Sequence, residues 1–176
     1  MEKSNKTEKD ISFVLDTRVI TDKKKSYSLK ATDEQLKELE TYYSVPAIKN
    51  LSFDFDIYLN KDVYELKGVL LARVEQQCVV SMDVFEEKIN SKVTLLFSED
   101  ADFVAMEEKK EDFLPEEELV ELVENGRIYF YDIVREQFGL ALNPFPKKTD
   151  ELFAYYEEKA EDVRENPFSV LKHLTK

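Results

Sequence analysis

The chain has 176 residues, a net charge of −13, 43% hydrophobic residues and 36% charged ones. Twelve Phe and nine Tyr make it too apolar for a wholly disordered chain, and three Gly leave little room for glycine-rich phosphate loops. The acidic balance opposes broad nucleic-acid binding, because cations neutralising phosphates supply most of that affinity; a small basic patch could still touch RNA, and a basic protein partner suits the bulk charge better. DNA is not an expected partner. One Cys excludes an internal disulfide and suits a reducing compartment. No apolar stretch has signal-peptide character or approaches a membrane span, so the expectation is a cytoplasmic protein without a membrane association.

In chain order, residues 1–10 read as a polar, disordered tail, and 11–176 as a single domain. Ile11, Phe13 and Leu15 alternate as a first short strand, a charged turn runs over 22–25, and Tyr27 and Leu29 suggest a second strand. Thr32 followed by Gln35 has capping-box spacing. It predicts a helix with Leu36 and Leu39 on its buried stripe that ends before Pro46. Leu51, Phe53, Phe55, Ile57 and Leu59 then alternate with polar residues in strict period two, which predicts a strand with one buried and one wet face. A turn at 60–62 leads into a second long strand carrying Tyr64, Leu66, Leu70, Ala72 and Val74 on one face. Gly68 occupies that same face, where a bulge or tight bend is expected. Ile89, Val93, Leu95 and Phe97 predict a third long strand, the three forming an antiparallel meander.

Residues 99–124 hold twelve acidic residues and two basic ones. They read as a solvated, partly mobile loop, with a helix start at Pro115 and an apolar stripe of Leu119, Val120 and Val123 stopped at Asn125 and Gly126. A helix over 132–142 follows, with Val134, Phe138 and Leu142 four residues apart, ended by Pro144 and Pro146. A peripheral helix over 151–164 and a tail over 166–174 close the chain. The fold class is therefore α+β: a curved antiparallel sheet of about five or six strands, barrel-like if its edges meet, packed with two or three helices.

No catalytic constellation is present. His173, the only histidine, sits near the end of the chain, and one Cys with one distant His does not make a zinc site. Cys78 reads as a small buried residue at a strand end. Asp54 and Asp56 share one strand face and could hold a divalent cation, but no phosphate loop or basic clamp accompanies them. Lys147 and Lys148, on a proline-fixed turn, could present charge to a phosphate or an acidic surface. No cofactor and no metal are expected.

Three blocks taken together resemble a known family. The first is 68–78, running from Gly68 through Arg73 to Gln76, Gln77 and Cys78. The second is 133–142, followed by Asn143, Pro144, Phe145 and Pro146. The third is 166–171, with Asn166, Pro167 and Phe168. Their order and spacing are similar to the YceD-like family, the large ribosomal RNA subunit accumulation proteins, over roughly 11–176. The resemblance implies a non-enzymatic role in large-subunit ribosome biogenesis, with a basic ribosomal protein or a large-subunit precursor as partner. Genes of that family often lie beside the gene for a small large-subunit ribosomal protein. Many relatives carry a Cys-x-x-Cys pair where this chain has Glu75 and Cys78, so a metal or disulfide role does not carry over. An acidic residue that relatives often place after the Ile near the second block is also missing, since Tyr129 follows Ile128.

The candidate interaction residues are Gln76, Gln77, Cys78, Pro144, Pro146, Lys147, Lys148, Pro167 and Phe168. Two other readings stand beside this one: a small-molecule-binding barrel, from the amphipathic strands and many aromatics, and a metal-dependent nuclease acting on rRNA, from the abundant carboxylates.

Overall fold

A computed structural model describes residues 7–108 and 120–148. The elements run β1 (Thr7–Asp10), β2 (Val14–Asp16), a short 3-10 turn (Thr17–Val19), β3 (Lys25–Lys30), α1 (Asp33–Tyr43), β4 (Ala47–Asn60), β5 (Val63–Gln77), β6 (Val84–Ser98), α2 (Ala101–Glu108), β7 (Val120–Leu122), β8 (Arg127–Tyr129) and α3 (Phe130–Ala141). Six strands form one sheet in the order β1-β3-β4-β5-β6-β7, and β2 pairs with β8 in a second, two-stranded sheet.

The architecture is α+β, and the long meander β4-β5-β6 is antiparallel as the period-two pattern predicts. The sheet as a whole is mixed, which corrects the all-antiparallel expectation: β1 runs parallel to β3, and β7 parallel to β6. Both parallel strands come from segments whose polarity reads as loop. Thr7–Asp10 lies in the stretch expected to be a disordered tail, and Val120–Leu122 in the stretch expected to be a solvated loop or a helical stripe. Edge strands of three or four residues need little apolar content, because the exposed backbone of β3 and β6 supplies the pairing. The expected helix start at Pro115 falls outside the described residues, as do the 151–164 helix and the tail. The flank Ala101–Glu108 is helical.

Local chemistry explains the other boundaries. The Thr32 side chain accepts from the Gln35 N–H at 3.3 Å while Gln35 Oε1 accepts from the Thr32 N–H at 2.9 Å, a complete capping box. The helix stops at Ser44, which is left-handed (φ 54°), and Val45 N–H closes back on the Glu40 carbonyl at 3.1 Å. The first strand begins later than 11–15, at Val14, because Ile11 turns into the core before the chain pairs with β8. Asn125 and Gly126 both have positive φ, and the Gly126 carbonyl accepts from the Thr17 N–H at 3.0 Å, joining the two halves of the small sheet.

No bulge occurs at Gly68. It pairs in register with Phe55 on β4 and Val93 on β6; the break in register lies in β4, between Ile48 and Asn50. Gly68 serves a close approach instead, since a Cβ there would fall 2.7 Å from the Asp54 carbonyl oxygen and from Phe55 Cβ.

One face of the sheet is covered by α1, α3 and the small sheet. Its core is filled by Phe53, Phe130, Phe138, Leu39, Leu66, Leu70 and Val134, all fully buried. Among the described residues no closed barrel is formed: the sheet has β1 and β7 at its edges, and the interior is occupied by side chains. This corrects the ligand-holding barrel reading. The opposite face of β4, β5 and β6 carries the polar alternates of the three strands.

Candidate docking groove at one end of the sheet

Three segments that are far apart in sequence meet at the end of the sheet where β5 finishes. The α1–β4 turn brings Tyr43 and Pro46, β5 and its hairpin bring Gln76, Gln77 and Val79, and the chain leaving α3 brings Leu142, Pro144 and Pro146; together they line a groove of about 520 Å³. The proline-rich segment is tied down at each step. The Phe145 N–H bonds Asn143 Oδ1 at 3.0 Å, Gln76 Nε2 donates to the Asn143 carbonyl at 3.2 Å, and the Val79 N–H donates to the Pro146 carbonyl at 2.9 Å. The Tyr43 hydroxyl donates to the Arg135 carbonyl at 2.6 Å, fixing α1 against α3.

Of the candidate residues, Gln76, Gln77, Pro144 and Pro146 thus share one groove. Cys78 lies beside it, fully buried. Backbone N–H groups of Ser81, and then of Lys148, point at its sulfur and hold the thiol below its ordinary value, with burial opposing them. Its role here is more than that of a small apolar filler, because the sulfur joins the hairpin to the Lys148 backbone. Glu75 forms a 2.9 Å ion pair with Lys49. Lys148 Nζ lies 3.7 Å from Asp83 Oδ2, so this lysine is directed at the hairpin, and both Lys147 and Lys148 are exposed. Pro167 and Phe168 fall outside the described residues, as does His173.

Two features of the groove mark it as more than a join between loops. The first is its rim. Val79, Val80, Met82 (62% exposed) and Val84 sit at the hairpin tip, and Phe145 (71% exposed) stands on the adjoining turn. A cluster of exposed apolar side chains of this kind is characteristic of an interaction surface. The second is an orphan acceptor. Gln76 is only 6% exposed, its Nε2 is used by Asn143, and among the described residues its Oε1 has no partner. Glu87 Oε2, also buried, is likewise without one. The register places Gln76 opposite Phe85 and Val74 opposite Glu87, so the two orphan oxygens share one face of adjacent strands. A buried acceptor left unpaired costs about 1–3 kcal/mol.

The rim residues Val79, Val80 and Phe145 were not among the sequence candidates. The signal for them was an apolar run, Val79 and Val80, in a hairpin turn where polar residues are the norm, together with an aromatic between two prolines.

Along the sheet edge near β7, Glu121, Glu124, Asp132 and Glu136 surround Arg127 in a smaller groove of about 280 Å³. Desolvation of its carboxyl group, then the Glu136 charge, pushes Glu121 above the ordinary glutamate value, although the residue as a whole is exposed. A carboxyl whose folded-state value lies above its unfolded one weakens the fold once ionised, so stability falls as pH rises through that interval. Glu121→Gln is expected to raise the melting temperature modestly at neutral pH, and the gain is expected to vanish below about pH 4, where both forms are protonated. A thermal melt of both proteins across pH checks this; an equal gain at every pH would mean that packing, not charge, is responsible.

Among the described residues no group of three or more His, Cys, Asp or Glu side chains is placed to hold a metal ion. Asp56 instead accepts a 2.6 Å hydrogen bond from the Ser26 hydroxyl across the β3–β4 pair. No described helix is long and apolar enough to cross a membrane.

Residues 66–175, more than half of the chain, match the family described as large ribosomal RNA subunit accumulation protein YceD. The chain belongs to this family. The YceD match begins within β5 and takes in the hairpin, α3 and the proline-rich turn, so most of the groove is made of family sequence; Tyr43 and Pro46 from the α1–β4 turn lie before it. It starts later than the roughly 11–176 over which the three sequence blocks suggested a resemblance. The YceD description concerns accumulation of the large-subunit RNA and names no reaction. Comparison with curated proteins and with solved structures returned no significant match.

Proposed function

We propose that the protein is a non-enzymatic, cytoplasmic factor in large ribosomal subunit biogenesis that supports rRNA accumulation by docking a basic ribosomal protein, alone or on a pre-ribosomal particle, in the groove at the end of β5. The observation that carries this reading is the pairing of exposed apolar residues with the buried Gln76 Oε1, without a partner among the described residues, at the same place. Such a groove is short of a donor and rich in apolar contact. An Arg or Lys side chain, or the backbone N–H of an extended segment, supplies the donor. The net charge of −13 speeds encounter with a basic partner. Lys147 and Lys148 hold and frame the turn in this reading, and Pro167 and Phe168 would extend the contact from the C-terminal side.

The test is affinity capture with the tagged full chain from a lysate of its source cells, with and without nuclease, and with a Val79→Asp/Phe145→Asp variant. Both positions are exposed, so the variant is expected to melt within about 1 kcal/mol of the parent. The expected result is recovery of large-subunit ribosomal proteins that survives nuclease and is lost in the variant. Recovery that disappears with nuclease, or that the variant retains, would overturn docking in this groove.

A further inference from the structure

The face of the sheet opposite α1 and α3 carries a charge arrangement that its own folding does not call for. β5 and β6 pair with Glu75 opposite Glu86 and, two residues along on the same face, Arg73 opposite Lys88. Like charges directly opposite one another destabilise a sheet. The acidic pair is compensated: Lys49, at the break in register of β4, reaches the two carboxylates at 2.9 and 3.0 Å. The basic pair is not. Among the described residues neither Arg73 nor Lys88 makes a salt bridge, and Glu86, whose carboxylate feels both cations, is already bound to Lys49.

This pair lies in a groove of about 600 Å³ that crosses β4, β5 and β6 beside the first turn of α1. Lys30 and Lys49 also line it, against one acid, Asp33. Lys30 is ion-paired with Glu8, and Lys49 with Glu75 and Glu86, so among the described residues Arg73 and Lys88 are the lining cations left without a salt bridge. Asn50, Ser52 and Asn90 supply neutral hydrogen-bonding groups, and Leu71, 40% exposed, an apolar floor. Lys92, also exposed, continues the row along β6.

We propose that this groove binds the phosphodiester backbone of single-stranded RNA, with Arg73 and Lys88 as the principal phosphate contacts. A folded acidic protein or a rigid duplex would press its own negative surface against the carboxylates that surround the groove. A flexible single strand sets its phosphates on the cations and keeps the rest of its length in solvent. Binding of this kind positions RNA without reading its sequence, since no aromatic platform or base-reading pair lines the groove. The face is distinct from the docking groove, so this site stands or falls independently of the protein partner.

The experiment is fluorescence anisotropy of a labelled oligouridylate with the full chain across a salt series, comparing the parent with Arg73→Gln/Lys88→Gln and with Lys23→Gln/Lys37→Gln. The last removes the same charge from exposed positions outside the groove. The parent is expected to bind at low salt. The groove variant is expected to lose affinity by about tenfold or more. Its plot of log affinity against log salt should be shallower by about 1.4, two contacts at about 0.7 each. Its melting temperature should stay level or rise as the like-charge pair is relieved, which separates lost binding from lost folding. The control should bind like the parent. Absence of parent binding, equal affinity in the groove variant, or an equal loss in the control would overturn the site. Displacement of the RNA by polyglutamate as efficiently as by unlabelled oligouridylate would reassign the groove to an acidic peptide and overturn the RNA assignment.

Discussion

Truncating Phe130 to alanine is expected to destabilise the fold by about 3–5 kcal/mol, the range for deleting a buried aromatic ring. The ring is fully buried and packs between β4 and the segment that leads into β2. It stacks on Phe55 of β4 with centroids 4.5 Å apart and planes at 18°, and on Phe13 at 5.8 Å. Phe13 in turn lies 5.4 Å from Tyr27 of β3, which stacks on Phe55. Phe130 also begins α3 and its N–H donates to the Phe13 carbonyl at 3.1 Å, so it joins the small sheet, the helix and the large sheet at one point. Domains of this size are stable by only about 5–15 kcal/mol, and the loss corresponds to a fall in melting temperature of roughly 6–20 °C. Urea and thermal unfolding measure it. A loss under about 1 kcal/mol would mean that the ring does not bridge the two sheets as described.

A second large effect is expected at Gly68, and here two terms of opposite sign compete. Replacing glycine by alanine in a strand ordinarily stabilises by about 0.4–1 kcal/mol, by narrowing the unfolded ensemble. At Gly68 the added Cβ meets the Asp54 carbonyl oxygen and Phe55 Cβ at 2.7 Å and the Phe53 ring at 2.8 Å. Two of these three are backbone or the first side-chain atom, and Phe53 and Phe55 are held in the core by the stacked aromatics. None can swing aside without moving β4 against β5. Overpacking of this kind typically costs about 1–3 kcal/mol, so Gly68→Ala is expected to be net destabilising by about 1–2 kcal/mol. Gly68→Val should cost more, although valine is the better strand former. A neutral or stabilising Gly68→Ala in chemical denaturation would show that the two strands separate freely there.

These two positions illustrate why some features were legible in the chain and others were not. The strict alternation of Leu51, Phe53, Phe55 and Ile57 identified a strand and its buried face, because side chains on a strand repeat every two residues whatever they pack against. Thr32 and Gln35 announced the start of α1 because a capping box is a bond between near neighbours. By the same logic Gly68 was recognisable as special, but the reason was not: the bulge sits instead in β4, and Gly68 answers to Phe53 and Phe55 across a strand pair.

The parallel edges β1 and β7 were hidden for a related cause. Their pairing is made by backbone groups of β3 and β6, to which the polar side chains of Thr7–Asp10 and the acidic flank of Val120–Leu122 bear no relation. In the docking groove, Gln76, Gln77, Pro144 and Pro146 could be picked out from the chain as unusual residues. That they line one groove with Tyr43 and Pro46, and that Gln76 Oε1 has no donor among the described residues, depends on three turns converging. Arg73 and Lys88 are ordinary wet-face residues when each strand is read alone. Only the register of β5 on β6 sets them opposite each other, and only the reach of Lys49 decides that the neighbouring Glu75–Glu86 pair is the one compensated.

The sequence by itself determined the α+β class, the three long strands, the two principal helices, the acidic field and the family, because each rests on periodicity, on near-neighbour chemistry, or on residues counted along the chain. Tertiary structure alone decided the mixed sheet, the absence of a closed barrel among the described residues, and the two surfaces where a partner and an RNA strand are proposed to bind. Those depend on which distant residues come to lie within a few ångströms of one another, and such distances are a property of the packed chain rather than of any segment within it.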